Sequence, residues 1–225
     1  MCSMINIAID GPSGAGKSSI AKTVSQRLGY LYIDTGAMFR SLAYKALSMG
    51  IDIPNEQSRL KDMLSKTSLT IERIDAAQHM ILDGCDITDK IRTPEVSKAA
   101  SDIAVIDFIR TWLLNLERTL AKQHNCIMDG RDIGTYVLPD AKVKIFLTAS
   151  AEVRAERRLK ELKEKGIETT FDEVLAEMKY RDKQDSEREI APLKKADDAH
   201  LADTSDKNFE ESVELILNII KTEIK

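Results

Sequence analysis

Apolar positions along the chain follow two rhythms. Ile5-Asn6-Ile7-Ala8-Ile9-Asp10 is a short β-branched run that stops at Gly11-Pro12, which predicts a buried strand followed by a turn. From Ser18 to Leu28 the period changes. Ile20, Ala21, Val24 and Leu28 recur at helical spacing, and Gly29 supplies a left-handed stop. Tyr30 to Ile33 reads as a second strand, and Asp34-Thr35-Gly36 opens a helix through about Met49, closed by Gly50. Strand, loop, helix, strand is the order of a parallel α/β sheet.

The middle of the chain departs from that order. Residues 55–65 read as a short helix capped by Asn55. Across 68–88, Leu69-Thr70-Ile71-Glu72 and Met80-Ile81-Leu82 are separated by polar turns and ended by Asp83-Gly84, which predicts two or three antiparallel strands. Thr93-Pro94 restarts a helix with a cap and a proline at its first position. A long amphipathic helix follows from Asp107 to Gln123, with Phe108, Leu113, Leu116 and Leu120 among its apolar positions. The first rhythm then returns in Cys126-Ile127-Met128 and Val143-Lys144-Ile145-Phe146-Leu147. Residues 151–165 make a charged helix ended by Gly166, and Thr170-x-x-Glu173 is a capping box opening a helix to about Glu189. His200 to Asp203 reads as a last strand, and Asn208-x-x-Glu211 caps a C-terminal helix. The expected architecture is one α/β domain over 1–225. It has a five-stranded parallel core with helices on both faces and two excursions, at about 50–95 and 148–192.

Composition narrows the classes. The 225 residues are 43% hydrophobic and 31% charged, enough apolar material for a core and too little bias for a disordered or fibrous chain. Against 37 acidic residues the 33 Lys+Arg give a net charge of -4, without the basic excess of a duplex nucleic-acid binder. Cys2, Cys85 and Cys126 lack CxxC spacing, and His79, His124 and His200 are scattered, so neither a disulfide framework nor a zinc site is expected. No run approaches a membrane span, and Met1-Cys2-Ser3-Met4 has no basic or long apolar leader. A cytoplasmic protein, bound to no membrane, is the expectation.

One motif carries chemistry. Gly11-Pro12-Ser13-Gly14-Ala15-Gly16-Lys17-Ser18 fits G-x-x-x-x-G-K-[ST] without a mismatch, between a predicted strand and a predicted helix that continues through Ser19. Glycines let the backbone curl so that successive N–H groups point at phosphate oxygens, and the helix N-terminus adds partial positive charge. Lys17 reaches the β- and γ-phosphates of a triphosphate, and the Ser18 hydroxyl is a ligand for Mg²⁺. No N-K-x-D segment of a GTPase is present. Arginines stand instead where a second anion would dock. Arg40 lies one turn into the helix after the second strand, and Arg131 follows Ile127-Met128-Asp129-Gly130 at a strand's carboxyl end, the ligand edge of an open sheet. Either arginine alone reads equally as a surface ion pair. Arg181, Asp185 and Arg188 are spaced to share a helix face, as an intrahelical ion pair or as a phosphate-facing cluster. Arg154, Arg157 and Arg158 lie among glutamates on what reads mostly as a solvated helix, with one arginine able to reach a phosphate.

With IAIDGPSGAGKSS, YIDTGAMFR, ITDKIRTPEVSKAAS, IMDGRDIGT, PDAKVKIFLTAS and RDKQDSER, the chain resembles the bacterial cytidylate kinases over nearly its whole length. The resemblance implies transfer of the ATP γ-phosphoryl group to CMP or dCMP, giving CDP or dCDP. It also implies a nucleoside-monophosphate-binding insert and a mobile lid in place of the two excursions. Carried over, Arg40 and Arg131 hold the CMP phosphate with Arg188, Arg181 stands near the phosphates, and Thr35 joins the acceptor contacts. Ser101, Arg110 and Asp132 contact cytosine, Asp185 the ribose hydroxyls, and Arg157 the ATP side. Lys17, Arg131, Arg181 and Arg188 are the residues implied at the transferring group. Asp34 either orders the Mg²⁺ water shell or caps the following helix, and the cap is the simpler reading. Phe39 stands where relatives often carry Tyr, so a hydroxyl contact is lost while ring packing is expected to remain. A monomer acting on small nucleotides is the default. The rival readings are a kinase of UMP, AMP, shikimate or dephospho-coenzyme A, and a nucleotide-dependent switch with a protein partner.

Overall fold

The computed structural model describes residues 4–74, 77–164 and 166–224, with the side chains of Arg73, Ile74 and Ala77 outside that description. The N-terminal reading at Met1, Cys2 and Ser3, and the turn at Asp75 and Ala76, lie outside the described residues. The chain divides into two compact units, one from residues up to Tyr32 together with those from Ala121 onward, the other Ile33–Leu120.

The first unit begins with β1 (Asn6–Asp10), the phosphate-loop segment and α1 (Lys17–Leu28). β2 (Leu31–Asp34) carries the chain into the second unit, which returns through α5 (Asp107–Gln123). β6 (Cys126–Gly130), β7 (Val143–Thr148), the helices α6 (Ala151–Glu164) and α7 (Phe171–Glu187), β8 (His200–Asp203) and α8 (Phe209–Glu223) complete the first unit. Among the described residues the sheet has five strands in the order β2-β6-β1-β7-β8. β1 is its centre, parallel to β6 with Ile9 opposite Asp129 and to β7 with Ile9 opposite Ile145. The α/β sheet expected from the alternating pattern is the one found.

Strand alternation decides what each face carries. Ile7, Ile9, Ile127, Val143, Ile145 and Leu147 point to one side, where Ile20, Ala21 and Val24 of α1 meet Val213, Ile216, Leu217 and Ile220 of α8. Each of these Ile, Leu and Val side chains contributes about 1.5–3 kcal/mol when fully buried. On the opposite face Asp10 accepts hydrogen bonds from the N–H groups of Ile133 and Gly134, both at 2.7 Å. These open a π-helical turn (Ile133–Val137) absent from the sequence reading. Burial pushes the Asp10 carboxyl up to about 6, against the pull of those two N–H groups. α6 and α7 form a helical hairpin with a small core of its own, Ala155, Leu162, Val174 and Met178. The capping box of Thr170 and Glu173 is formed in full.

In the second unit α2 (Thr35–Ser48) packs on α4 (Pro94–Ile103), whose cap is Thr93. β3 (Leu69–Ile74), β4 (Ala77–Leu82) and β5 (Cys85–Asp86) make an antiparallel three-stranded sheet. The short helix α3 (Gln57–Ser65) corrects the reading of Asn55 as its cap. Asp52 first closes a turn, its carbonyl accepting from the N–H groups of Asn55 and Glu56, and its carboxylate takes the Asn55 amide at 3.0 Å. The helix therefore starts after Glu56. Cys85 is exposed, Cys126 is buried and both are free, while Cys2 lies outside the described residues. No helix among the described residues is long and apolar enough to cross a membrane.

Candidate active site

The carboxyl ends of β1, β6 and β7 bring the chemistry of the first unit together. Gly11 leaves β1 at φ 148, and a Cβ there would lie 1.9 Å from the Leu147 carbonyl oxygen of β7. Only glycine allows that approach. Gly14, at φ 72, lies under the Met178 side chain of α7, whose Cε would be 2.5 Å from an added Cβ. Gly16 begins α1 in a left-handed conformation with no side-chain cap, so the first N–H groups of the helix are offered to an anion. Pro12 and Ala15 are buried in the curl, Ser13 is half-buried, and Ser19 is exposed on α1.

Lys17 is buried, and its Nζ donates to the carbonyl oxygens of Gly11 and Pro12, both at 2.7 Å. Burial first, and the Arg131 charge second, lower its pKa to about 7. Two carbonyl dipoles hold the amine without neutralising it, so an anion is the partner that restores its charge. Ser18 Oγ donates to Asp129 Oδ2 at 2.9 Å, while Asp129 Oδ1 accepts from the Tyr32 hydroxyl at 2.8 Å. Asp129 escaped the sequence reading, although a carboxylate closing a predicted core strand was a visible signal.

Three of the candidate arginines of this unit, Arg131, Arg181 and Arg188, meet carboxylates. Arg131 Nε donates to Asp185 Oδ2 at 2.7 Å. Burial opposes its charge, but the Asp185 and Asp129 carboxylates outweigh that and raise its pKa. Arg181 lies 3.8 Å from Glu177, and burial together with Arg131 lowers its pKa. Arg188 corrects the expectation that Arg181, Asp185 and Arg188 share one helix face. α7 ends at Glu187, and Arg188 is extended at φ −62 and ψ 141. Its guanidinium meets Asp132 Oδ1 at 2.9 Å and the Ala191 carbonyl. Arg157 donates to the Thr204 and Lys207 carbonyls after β8, at 2.6 and 3.3 Å.

The second unit holds the remaining candidates. Asp34 caps α2 by accepting from the Ala37 N–H at 2.8 Å and pairs with Arg40 at 3.0 Å, so its carboxylate is engaged on both oxygens. Arg40 Nε is buried with no hydrogen-bond partner among the described residues, an orphaned donor of the kind a bound anion satisfies. Thr35 is buried at the first position of α2. Arg110 donates to the Ala104 carbonyl at 3.2 Å and lies 5.8 Å from the Phe39 ring centroid, so the ring packs against a guanidinium. Ser101 Oγ is 3.4 Å from the Ser97 carbonyl one turn back on α4.

A central strand feeding a glycine loop, with an inward lysine and a serine–aspartate pair beside it, defines a P-loop phosphotransferase of the α/β class. The family model described as Cytidylate kinase matches residues 7–222. A cytidylate kinase of Caldicellulosiruptor saccharolyticus is 50% identical over 96% of this chain and 95% of its own. That of Caldicellulosiruptor bescii is 48% identical over 98% and 97%. The chain belongs to the cytidylate kinase family. It also shares its fold with a solved uncharacterized protein from Eubacterium ventriosum, at a TM-score of 0.54 and 14% identity over 97% of this chain and 99% of that one.

Proposed function

We propose that this chain transfers the γ-phosphoryl group of ATP to CMP or dCMP, yielding ADP and CDP or dCDP. The observation that carries the reading is the pairing of a loop built for a polyphosphate, with Lys17 donating to the Gly11 and Pro12 carbonyls, and Arg131, which follows Gly130, the β6 residue paired with Asp10 just before that loop. So much positive charge beside one anion site suits a reaction that brings a second anion to it.

The acceptor phosphate is already an oxyanion, so no strong general base is needed and catalysis rests on alignment and charge. Lys17 and the amides of Gly14 to Ser18 hold the β- and γ-phosphates of ATP. Arg131 and Arg181 face the transferring group, and Arg188 and Arg40 steady the acceptor phosphate. Asp132, Arg110 and Ser101 read cytosine, whose N4 amine and N3 and O2 acceptors complement a carboxylate and donor groups. Asp185 takes the ribose hydroxyls, Thr35 supports the acceptor, and Arg157 serves the ATP side. Ser18 and Asp129 are hard oxygen donors already 2.9 Å apart and fit Mg²⁺, which would neutralise charge on the β- and γ-phosphates when bound. Asp34, engaged as a cap and by Arg40, stays a helix-end group. In this proposal residues about 50–95 form the acceptor insert and about 148–192 the lid that excludes water, within a cytoplasmic monomer that binds neither nucleic acid nor membrane.

The test offers CMP, dCMP, UMP, AMP and shikimate in turn with ATP and Mg²⁺, and follows ADP. CMP and dCMP should raise ADP release far above the acceptor-free rate. Equal rates with every acceptor, or with none, overturn the reading.

A further inference from the structure

α7 also carries Asp182, which the reaction above does not use. Its Oδ1 accepts from the Ser13 N–H at 3.1 Å, and its Oδ2 accepts from Arg154 Nη1 at 2.6 Å. The same Nη1 donates to the Ser13 carbonyl at 2.8 Å, while Arg154 Nε is anchored on the Ala149 carbonyl at 3.0 Å. Both polar backbone groups of Ser13, the third residue of the phosphate loop, are thus held by one ion pair whose side chains are only 8% and 20% exposed. One helical turn earlier Met178 lies over Gly14.

This pair is a poor choice for joining α6 to α7, which Ala155, Leu162, Val174 and Met178 already do. Burying two charges costs desolvation that an apolar pair avoids. What it adds is a fixed register between the loop and the helix. On that helix Asp185 grips Arg131, and Arg181 stands one turn before Asp185.

We infer that Arg154 and Asp182 are positioning residues that lock the tip of the phosphate loop to α7. The donor phosphates and the arginines gathered at that helix are then held in one register at the transition state. The inference rests on the phosphotransfer reading above.

The experiment compares wild type with Asp182→Ala, Arg154→Ala and the double variant, measuring CDP formation and acceptor-free ATP hydrolysis well below each melting temperature. Asp182→Ala should lower kcat roughly 30-fold, since a small misplacement of reacting groups carries costs of this size. The KM for CMP should stay within about threefold, because the Arg131–Asp185 contact remains. The ratio of hydrolysis to transfer should rise about tenfold or more, as water reaches a loop no longer in register. The double variant should be no slower than the slower single one, the mark of two residues acting as a unit. Asp182→Asn keeps an oxygen for the Ser13 N–H and should recover part of kcat, and it serves in place of Asp182→Ala if that variant does not fold. A lower melting temperature with unchanged kcat and hydrolysis ratio, or additive losses in the double variant, overturns the inference. If wild type itself does not phosphorylate CMP, the parent reading fails; if it does and the variants match it, only the lock fails.

Discussion

The phosphate loop and the Arg131–Arg188 region lie in the same unit and both gather cations, yet they hold them in opposite ways. In the loop, among the described residues, Lys17 donates its hydrogen bonds to carbonyl oxygens of its own segment, and its pKa falls to about 7. In the other region, Arg131 rests on Asp185 and Arg188 on Asp132. A loop that leaves its cation half-charged is set for a strong, permanent anion. In the proposed reading, a region that neutralises its arginines in advance would discriminate, because a ligand must match or share those carboxylates rather than merely supply charge.

The sharpest break of this comparison is Lys17→Ala. Turnover should fall by roughly a thousandfold or more while the circular dichroism spectrum stays close to wild type, since among the described residues the Lys17 amine donates its hydrogen bonds to loop carbonyls. Retained turnover removes Lys17 from the anion site. Arg131→Ala should come next, costing several kcal/mol in kcat/KM for the acceptor and leaving ATP affinity less affected. Wild-type kinetics in that variant dissolve the contrast between the regions.

The pH dependence sharpens it further. With Lys17 lowered from 10.5 to about 7, the unfolded chain holds more protons between those values, so stability of the free protein should rise with pH across that window. Phosphate beside the amine restores its ordinary pKa, so ATP binding at about pH 8 should take up roughly one proton. Calorimetry in two buffers of different ionisation enthalpy measures this, and the uptake should vanish in Lys17→Ala. Asp10 runs the other way. Raised to about 6, its contribution is full below the ordinary 3.8 and is lost as pH rises through 6. The smallest effect is that of Thr170→Ala, which removes the capping box of α7 and should cost about 1 kcal/mol in denaturant unfolding.

Local features were legible in the chain. The glycine loop, the caps at Thr93, Thr170 and Asn208, and the five short apolar runs each depend on neighbours within a turn or two. Helix ends set by competing polar groups were not. Asn55 is spent on Asp52, and Arg188 leaves α7 to meet Asp132, 56 residues away. The resemblance supplied Ser101 and Arg110 as candidates, which spacing alone does not select.

By itself the sequence determined that a β-branched strand, a glycine curl and a helix would present amide N–H groups to phosphate. It also determined which apolar stripes would be buried, because periods of two and 3.6 residues are set by the backbone. The fold alone decided which charges meet. Asp129 beside Ser18, Asp185 on Arg131 and Asp182 with Arg154 on Ser13 are contacts across 111, 54 and 28 to 169 residues. Coulombic and hydrogen-bond partners are chosen by distance in space after the layers pack, and no local pattern of residues encodes that distance.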